Sequence, residues 1–165
     1  MPGSPGPAIR VLPLTEADRP WANALLRERW GSTHMVTRGV VHDLTQLPGL
    51  VAWYGEERMG LLLYRPAGTE WEIVSLDSTL GGHGVGTALL EGVRRLAQAS
   101  DCRRLWLITT NDNLPALRFY QKRGFHLVAV YPDAVTEARR LKPEIPLIGL
   151  EGIPLRDELE LEIVL

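Results

Sequence analysis

Four glycines crowd the stretch LDSTLGGHGVGTALL, which runs from residue 76 to residue 90. A strand-like segment precedes the glycines, and an apolar helical pattern follows them. A helix that begins directly after such a turn presents unpaired backbone N–H groups and the positive end of its dipole at one point. Glycine lets a ligand approach the backbone closely because it has no Cβ atom. The stretch therefore indicates a binding site for a phosphate or pyrophosphate group.

Two common phosphate-binding motifs do not fit this stretch. A P-loop requires Gly-Lys-Ser/Thr, but Gly86 is followed by Thr87 and Ala88. A dinucleotide fingerprint requires G-x-G-x-x-G, and its third glycine is absent whether the motif starts at Gly82 or at Gly84. The fingerprint also opens a parallel βαβ unit, whereas hairpins are predicted before these glycines. Both motifs are excluded.

The stretch resembles instead the acyl-CoA-binding motif of the GNAT N-acetyltransferase superfamily, Q/R-x-x-G-x-G/A. Gly84 and Gly86 match its last two positions, while Gly81 stands where the family has glutamine or arginine. A second stretch, NDNLPALRFYQKRGF, is similar to a later motif of the family, in which an asparagine precedes a helix with an aromatic-tyrosine pair and a final Gly-Phe. With the order of elements, the resemblance covers residues 9–165.

The resemblance implies a coenzyme A site along the glycine-rich stretch. Backbone N–H groups of residues 80–85 would hold the pyrophosphate, and backbone groups near residues 76 and 78 would bond to the pantetheine arm between two splayed strands. Asn113 is either a helix cap or a pantetheine contact, and one position can serve both roles. For His83, a phosphate contact or a solvent-facing position is favoured over catalysis. The implied cofactor-binding residues are Leu76, Ser78, Leu80, Gly81, Gly82, His83, Gly84, Val85, Gly86, Thr87 and Asn113.

The same resemblance implies two catalytic side chains. Tyr120 would be the general acid for the departing thiolate, and the alternative is a structural, half-buried aromatic residue. The acceptor amine must lose a proton, because a lysine-like amine with a pKa of about 10.4 is mostly protonated at neutral pH. Glu72 occupies the strand region in which many members of the family have a catalytic glutamate, and Glu70 is the second choice. The alternative for Glu72 is an ordinary solvated strand residue.

Strand alternation gives these glutamates a predicted orientation. In a regular strand, Glu70, Glu72, Val74 and Leu76 share one face of the sheet. The opposite face then carries the remaining residues of the segment, Trp71, Ile73 and Ser75.

The elements that position these residues follow from hydrophobic periodicity and turn signals. The pattern predicts an α/β (α+β) layer domain, and the resemblance makes it GNAT-like, with a mixed, mostly antiparallel sheet, a splayed strand pair and helices on both faces. Residues 31–49 are ambiguous, and a short helix or loop is expected at 42–47. Helices are predicted to begin near Asp18, Val85 and Asn113, and a helical segment is expected at 136–143. Strands are predicted at 9–14, 50–54, 59–65, 70–78, 103–110, 125–130 and 157–165.

Composition sets broad limits on the kind of protein. The 165 residues, 45% of them hydrophobic, predict a single domain over 8–165 after a disordered Pro/Gly-rich tail at 1–7. A net charge of -2 gives no electrostatic case for nucleic acid or an anionic membrane. No signal peptide or membrane-spanning run is evident, so a soluble, cytoplasmic protein is expected. The other histidines are too scattered for a recognisable metal set, and no metal is predicted: His34, His42 and His126.

The resemblance implies an acetyl-CoA-dependent N-acetyltransferase in which a primary amine attacks the thioester directly in a ternary complex. The acceptor is a small-molecule amine or a protein N-terminus, and a homodimer is compatible with the family. Segments 30–47 and 131–156 are expected to wall the acceptor site. The alternative is a non-catalytic acyl-CoA-binding or sensing domain on the same scaffold. Candidates to line the acceptor pocket are Trp30, His34, Arg38 and Trp53.

Overall fold

The computed structural model describes residues 8–79, 81 and 83–165. The predicted tail at 1–7 and the predicted coenzyme A contacts at Leu80 and Gly82 lie outside the described residues. The strands are β1 (Ile9–Pro13), β2 (His34–Thr37), β3 (Val40–Asp43), β4 (Gly49–Tyr54), β5 (Glu57–Arg65), β6 (Glu70–Ser78), β7 (Arg104–Thr110), β8 (His126–Tyr131) and β9 (Glu158–Val164). The helices are α1 (Arg19–Trp30), α2 (Val85–Ala99), α3 (Leu114–Lys122) and α4 (Ala134–Leu141).

Seven strands form the central sheet in the order β1-β4-β5-β6-β7-β9-β8. All neighbouring strands are antiparallel except β6 and β7, which run parallel. The parallel pairing joins residues 70–73 of β6 only to residues 104–107 of β7, so the second halves of the two strands diverge. This mixed, mostly antiparallel sheet with one splayed pair confirms the predicted fold.

Helices cover both faces of the sheet. On one face, α2 buries residues spaced by four positions, Val85, Leu89, Val93 and Ala97, because this spacing repeats about once per helical turn. Helix α1 covers the opposite face with its own buried residues, Ala22, Leu25 and Leu26. The predicted helices on both faces are confirmed.

A two-stranded hairpin, β2–β3, occupies much of the segment that the sequence left ambiguous. Its turn consists of Arg38 and Gly39, with φ of 51° and 73°. A two-residue hairpin turn needs such positive φ values to match the twist of its strands. The expected short helix or loop at 42–47 is therefore wrong at its start, where β3 continues to Asp43, and only a single 3-10 turn follows at Leu44–Gln46.

A β-bulge at Val74 interrupts the alternation of β6, because the register with β5 shifts there and leaves Val74 without a partner. Leu76 consequently packs with Trp71 and Ile73 in the cluster beneath α2, whereas Val74 packs in the cluster beneath α1. The extra residue in a bulge reverses the orientation of the side chains that follow it. The prediction that Leu76 shares a face with Glu72 and Val74 is therefore wrong.

Within the described ranges, every helix is too short or too polar to cross a membrane.

Candidate functional site

The divergence of β6 and β7 opens a cleft that ends at the start of α2. Gly84 stands directly before the helix with φ 75°, in the left-handed region that glycine adopts without strain. A Cβ atom added to Gly84 would meet no atom within 4 Å beyond its chain neighbours. The backbone at the start of α2 is therefore open to a ligand, and the first N–H groups of the helix point out of its end.

Gly86, the other matched glycine, has a packing role. A Cβ atom on this residue would lie 3.1 Å from the Phe119 ring of α3. The neighbouring Thr87 hydroxyl accepts a hydrogen bond of 2.9 Å from the Nε atom of Arg123, just beyond α3. Helices α2 and α3 thus meet closely beside the cleft, and glycine at residue 86 permits the contact.

The other predicted coenzyme A residues lie around this cleft. Leu76 and Ser78 belong to the part of β6 beyond its pairing with β7. Gly81 and His83 are exposed in the turn that leads to α2. Asn113 caps α3, because its Oδ1 atom accepts a hydrogen bond of 3.2 Å from the backbone N–H of Ala116. The capping role is thus observed, and a pantetheine contact by Asn113 stays a prediction.

Tyr120 is buried on α3 rather than half-buried as expected, with 7% of its surface exposed. Its ring packs edge-on against Phe119 and Phe125. Burial raises the pKa of the Tyr120 hydroxyl, and the negative charge of Asp77 raises it further. Tyr120 therefore carries its proton throughout the neutral range, as a proton donor must.

Asp77 lies near Tyr120 in the diverging part of β6. Its carboxylate accepts a hydrogen bond of 3.0 Å from the indole Nε1 of Trp30 at the end of α1. Burial raises the pKa of Asp77, although the Trp30 hydrogen bond and the charge of Arg29 oppose that shift. The part of β6 that diverges from β7 is thereby tied to α1.

Glu72 lies in a buried polar cluster on the α1 side of the sheet, with only 2% of its surface exposed. Its Oε1 atom accepts a hydrogen bond of 3.1 Å from Arg65, and its Oε2 atom accepts one of 3.3 Å from the Thr37 hydroxyl. The Nε2 atom of His42 lies 3.9 Å from Oε1. The alternative of a solvated Glu72 is therefore wrong, whereas the second choice, Glu70, has a side chain that is 60% exposed.

His42 is buried beside Glu72 and makes a hydrogen bond of 2.7 Å to the Thr37 hydroxyl. Burial lowers the pKa of His42, and the charge of Arg65 lowers it further, against the opposing effect of Glu72. The imidazole is therefore neutral at neutral pH. A neutral histidine, a hydroxyl and a carboxylate in contact can pass a proton between them.

A second buried carboxylate, Glu158, lies near this cluster at the start of β9. It accepts hydrogen bonds of 3.3 and 3.2 Å from the backbone N–H of Arg38. Burial raises the pKa of Glu158, the backbone N–H and the positive charge of Arg38 oppose that shift, and the charge of Glu72 adds to it. Glu158 also borders a cavity of about 560 Å³ between the β2–β3 turn, the end of β8 and α4.

The two segments expected to wall an acceptor site meet in the structure. The Lys142 ammonium, after α4, donates hydrogen bonds of 3.4 Å to the carbonyl of Trp30 and 2.9 Å to that of His34. The Arg38 guanidinium lies over the Tyr131 ring, 3.2 Å from its centroid. These contacts join segments 30–47 and 131–156 on one side of the sheet.

The remaining acceptor candidate, Trp53, occupies a different environment. It packs at the edge of the α1 cluster, and the Arg58 guanidinium lies 4.7 Å from its ring centroid. Trp53 is thus placed with the core beneath α1 rather than with the Arg38 and Glu158 contacts.

Comparison with known proteins agrees with this architecture. The sequence model of the acetyltransferase (GNAT) family matches residues 15–125 of the chain. The chain belongs to the GNAT acetyltransferase family. An uncharacterised Bacillus subtilis (strain 168) relative, YdhI, is 41% identical over 150 residues, which cover 90% of this chain and 94% of YdhI.

Solved GNAT structures share the fold at low sequence identity. An Elizabethkingia anophelis GNAT acetyltransferase with acetyl-CoA bound superposes with a TM-score of 0.74 at 22% identity, over 95% of this chain and 98% of that one. A Bacillus subtilis acetyltransferase in complex with CoA superposes with a TM-score of 0.69 at 20% identity, over 96% and 99% of the two chains. The family match over residues 15–125 includes both motifs identified in the sequence.

Several polar residues of this GNAT chain escaped the sequence analysis as site candidates. Thr37 and His42 lie diagonally on the β2–β3 hairpin, since Met35, two residues before Thr37, pairs with His42. Because the hairpin was not predicted, the sequence did not indicate that Thr37 and His42 lie on the same face of it. The Ser75 hydroxyl, just past the bulge, is buried and has no hydrogen-bond partner among the described residues. An Arg-Gly pair between two short β-branched runs was the available signal for the hairpin.

In the part of this GNAT chain that the structure describes, no three His, Cys, Asp or Glu side chains are grouped as metal ligands.

Proposed function

We propose that this GNAT protein transfers the acetyl group of acetyl-CoA to a primary amine by direct attack in a ternary complex. The observation that carries the proposal is the cleft between residues 74–78 of β6 and 108–110 of β7, which ends at the open N-terminus of α2. An extended arm fits between diverged strands, and a helix N-terminus after a glycine suits a pyrophosphate. Solved neighbours with acetyl-CoA or CoA bound support the choice of donor.

The coenzyme A contacts in this proposal are those of the motif and its flanks. Backbone N–H groups in the turn and first turn of α2 receive the pyrophosphate, and the exposed backbone of β6 bonds to the pantetheine amides. Asn113 would add a contact while it caps α3. The proposed contact residues are Leu76, Ser78, Leu80, Gly81, Gly82, His83, Gly84, Val85, Gly86, Thr87 and Asn113.

The proposed chemistry is a single acyl transfer. The amine lone pair attacks the thioester carbonyl, a C–N bond forms, and the C–S bond breaks. The departing thiolate takes the hydroxyl proton of Tyr120, which burial keeps protonated. Solvent then returns a proton to Tyr120.

Glu72 is the proposed base that accepts the proton of the acceptor amine. Its two hydrogen-bond partners, Arg65 and Thr37, fix the carboxylate, and neutral His42 adjoins Thr37. Because Glu72 is buried, the proton reaches it through an intervening water or through Thr37 and His42 rather than from bulk solvent. Arg65 is thus a positioning residue for Glu72, and Thr37 and His42 both position the carboxylate and offer one of the two proton paths to it.

In this proposal, residues 8–165 form one domain that acts in the cytoplasm. The acceptor is a small-molecule amine or a protein N-terminus. The competing function is an acyl-CoA-binding or sensing domain without turnover. The presence of both Asn113 and Tyr120, at positions that match the later motif of the family, favours the enzyme.

Tyr120→Phe separates the two functions. We expect thiol release from acetyl-CoA with a panel of primary amines to fall about 100-fold in kcat, because a general acid contributes roughly that much or more. Calorimetric binding of coenzyme A should remain, since the substitution removes only the hydroxyl. Tyr64→Phe is the matched control, because Tyr64 stacks on Trp71 in the core cluster and should keep full turnover.

Two outcomes would contradict this proposal. Equal turnover by Tyr120→Phe and wild type would show that Tyr120 is not the general acid. Coenzyme A binding by wild type, with thiol release at background for every amine, would favour the sensing function.

A further inference from the structure

The cavity beside Glu158 contains groups of both charges. Glu158 borders it at the sheet, Arg38 and Tyr131 form one wall, and α4 contributes the apolar side chains of Ala138 and Leu141. Its volume of about 560 Å³ exceeds what a few waters need and suits a small organic molecule.

The Arg38 guanidinium is held in place without a close ion pair among the described residues, although its charge lies near that of Glu158. It lies flat over Tyr131, whose hydroxyl donates a hydrogen bond of 2.8 Å to Glu160 and so fixes the ring beneath it. Arg38 makes no ion pair with a carboxylate of the described residues. A planar, oriented guanidinium with free N–H groups is suited to bind a carboxylate through two hydrogen bonds.

The backbone at Arg38 is an independent sign of a role for its side chain. Its φ of 51° lies in the left-handed region, where hairpin turns favour asparagine, aspartate or glycine. Arginine at this position costs stability that those residues would avoid. Strain of this kind is typical of ligand-binding positions.

Glu158 supplies the opposite charge. It is 3% exposed, and its carboxylate accepts hydrogen bonds only from the Arg38 N–H among the described residues. Its charge also lies near that of Glu72, which makes two buried anions unfavourable together. A bound ammonium would relieve that repulsion.

The position of Glu158 connects this cavity to the cleft. Glu158 pairs with Thr110 on β7, three residues beyond Leu107, where β7 leaves β6. An amine held at Glu158 therefore lies at the end of the cleft where the strands have diverged.

We propose that the cavity is the acceptor site and that the acceptor is an amino acid, a primary amine that also carries a carboxylate. Glu158 attracts the ammonium end, Arg38 binds the carboxylate, and the apolar face of α4 contacts the side chain. This inference rests on the acetyl transfer proposed above and narrows its acceptor class.

The test compares amino acids with their primary amides, which lack the anionic group. Leucine, methionine, phenylalanine and ε-aminocaproate are assayed with acetyl-CoA, each beside its amide. We expect wild type to prefer at least one acid over its amide by about 10- to 100-fold in kcat/KM, as expected for hydrogen bonds to a charged group.

Substitutions of Arg38 and Glu158 test which end of the acceptor each residue binds. Arg38→Met should abolish it by raising KM for the acid alone, and Arg38→Lys should restore only part of it, because lysine cannot bind both oxygens in one plane. Glu158→Gln should instead lower kcat/KM for acid and amide alike. Arg140→Met is the control at the rim, where Arg140 pairs with Glu137, and should retain the preference.

Equal use of acids and amides by wild type, or an unchanged preference in Arg38→Met, would overturn the inference and leave acetyl transfer intact. If no amine is acetylated, the proposed function itself fails. Calorimetry with leucine and leucinamide in the presence of coenzyme A then tests whether the cavity binds an amino acid. Binding of leucine that Arg38→Met abolishes supports the site, and equal or absent binding of both compounds overturns it.

Discussion

Tyr120 and Glu72 stand in environments that suit opposite roles. Tyr120 is surrounded by aromatic rings beside Asp77, so its hydroxyl stays protonated. Glu72 is buried with Arg65 and Thr37, a cation and a hydroxyl donor that suit the ionised carboxylate. Tyr120 is thus the proposed acid and Glu72 the proposed base of one reaction.

Glu72→Gln tests the base at the residue scale. Glutamine keeps the shape and the Thr37 hydrogen bond but cannot take a proton, so we expect kcat/KM to fall about 100-fold. The pH–rate profile of the variant should also differ from that of wild type, because the variant lacks the proposed base. The measurement is the pH–rate profile of both proteins with one amine.

Glu70→Gln is the control for this substitution. Glu70 is two residues away on the same strand, but its side chain is mostly exposed and lies 3.7 Å from Arg104. Its variant should keep the wild-type profile. An unchanged profile in Glu72→Gln would contradict the assignment of the base.

The start of α2 is the element on which the proposed donor binding depends. Gly84 has a left-handed backbone and free space around it, so its position is set by conformation rather than by packing. Gly86 is set by the close approach of Phe119. The two glycines of the motif thus have different roles. Of the two, only Gly84 can be substituted without disturbing the packing of α2 against α3.

Gly84→Asp should weaken coenzyme A binding by placing a negative charge beside the pyrophosphate at the end of α2. Gly84→Asn is the matched control, because asparagine has nearly the same shape and tolerates the left-handed conformation equally well. We expect the aspartate variant to bind about 10-fold more weakly than the asparagine variant, or about 1.4 kcal/mol, by calorimetry. Equal coenzyme A affinity of the two folded variants would show that the pyrophosphate does not bind at this turn.

Long elements with clear periodicity were predictable from the sequence. The helix begins at Val85 as predicted, and the strand from Glu70 to Ser78 has the predicted bounds, since each element has an apolar pattern with turn signals beside it. The hairpin of β2 and β3 was not predicted, because four-residue strands give too short a pattern and an Arg-Gly turn is an atypical signal.

The candidate site was predictable only where a motif stood within one segment. Glu72 was identified, but its burial was not, because Thr37, His42 and Arg65 approach it from other elements. The bulge at Val74 has no local sequence signal, and it reversed the orientation of Leu76. Contacts between distant segments and changes in register arise from tertiary packing, which strand alternation alone does not contain.

At the scale of the whole molecule, one strand connects the donor and acceptor sides. The first half of β6 carries Glu72 in the polar cluster beneath the hairpin, and its second half carries Leu76 and Ser78 along the cleft. The bulge at Val74 lies between these halves. In the proposed reaction, the amine and the thioester would therefore approach from opposite sides of the point where β6 leaves β7.

The most direct test of the account is mass spectrometry of the amine after incubation with the protein and acetyl-CoA, with free thiol measured in the same sample. We predict an amine heavier by one acetyl group, formed in a 1:1 ratio with released coenzyme A, and several-fold less of both products with Gly84→Asp than with Gly84→Asn at a donor concentration near the Kd of the asparagine variant. Thiol release without acetylated amine, or no thiol release from a protein that binds coenzyme A, would contradict acetyl transfer as the function.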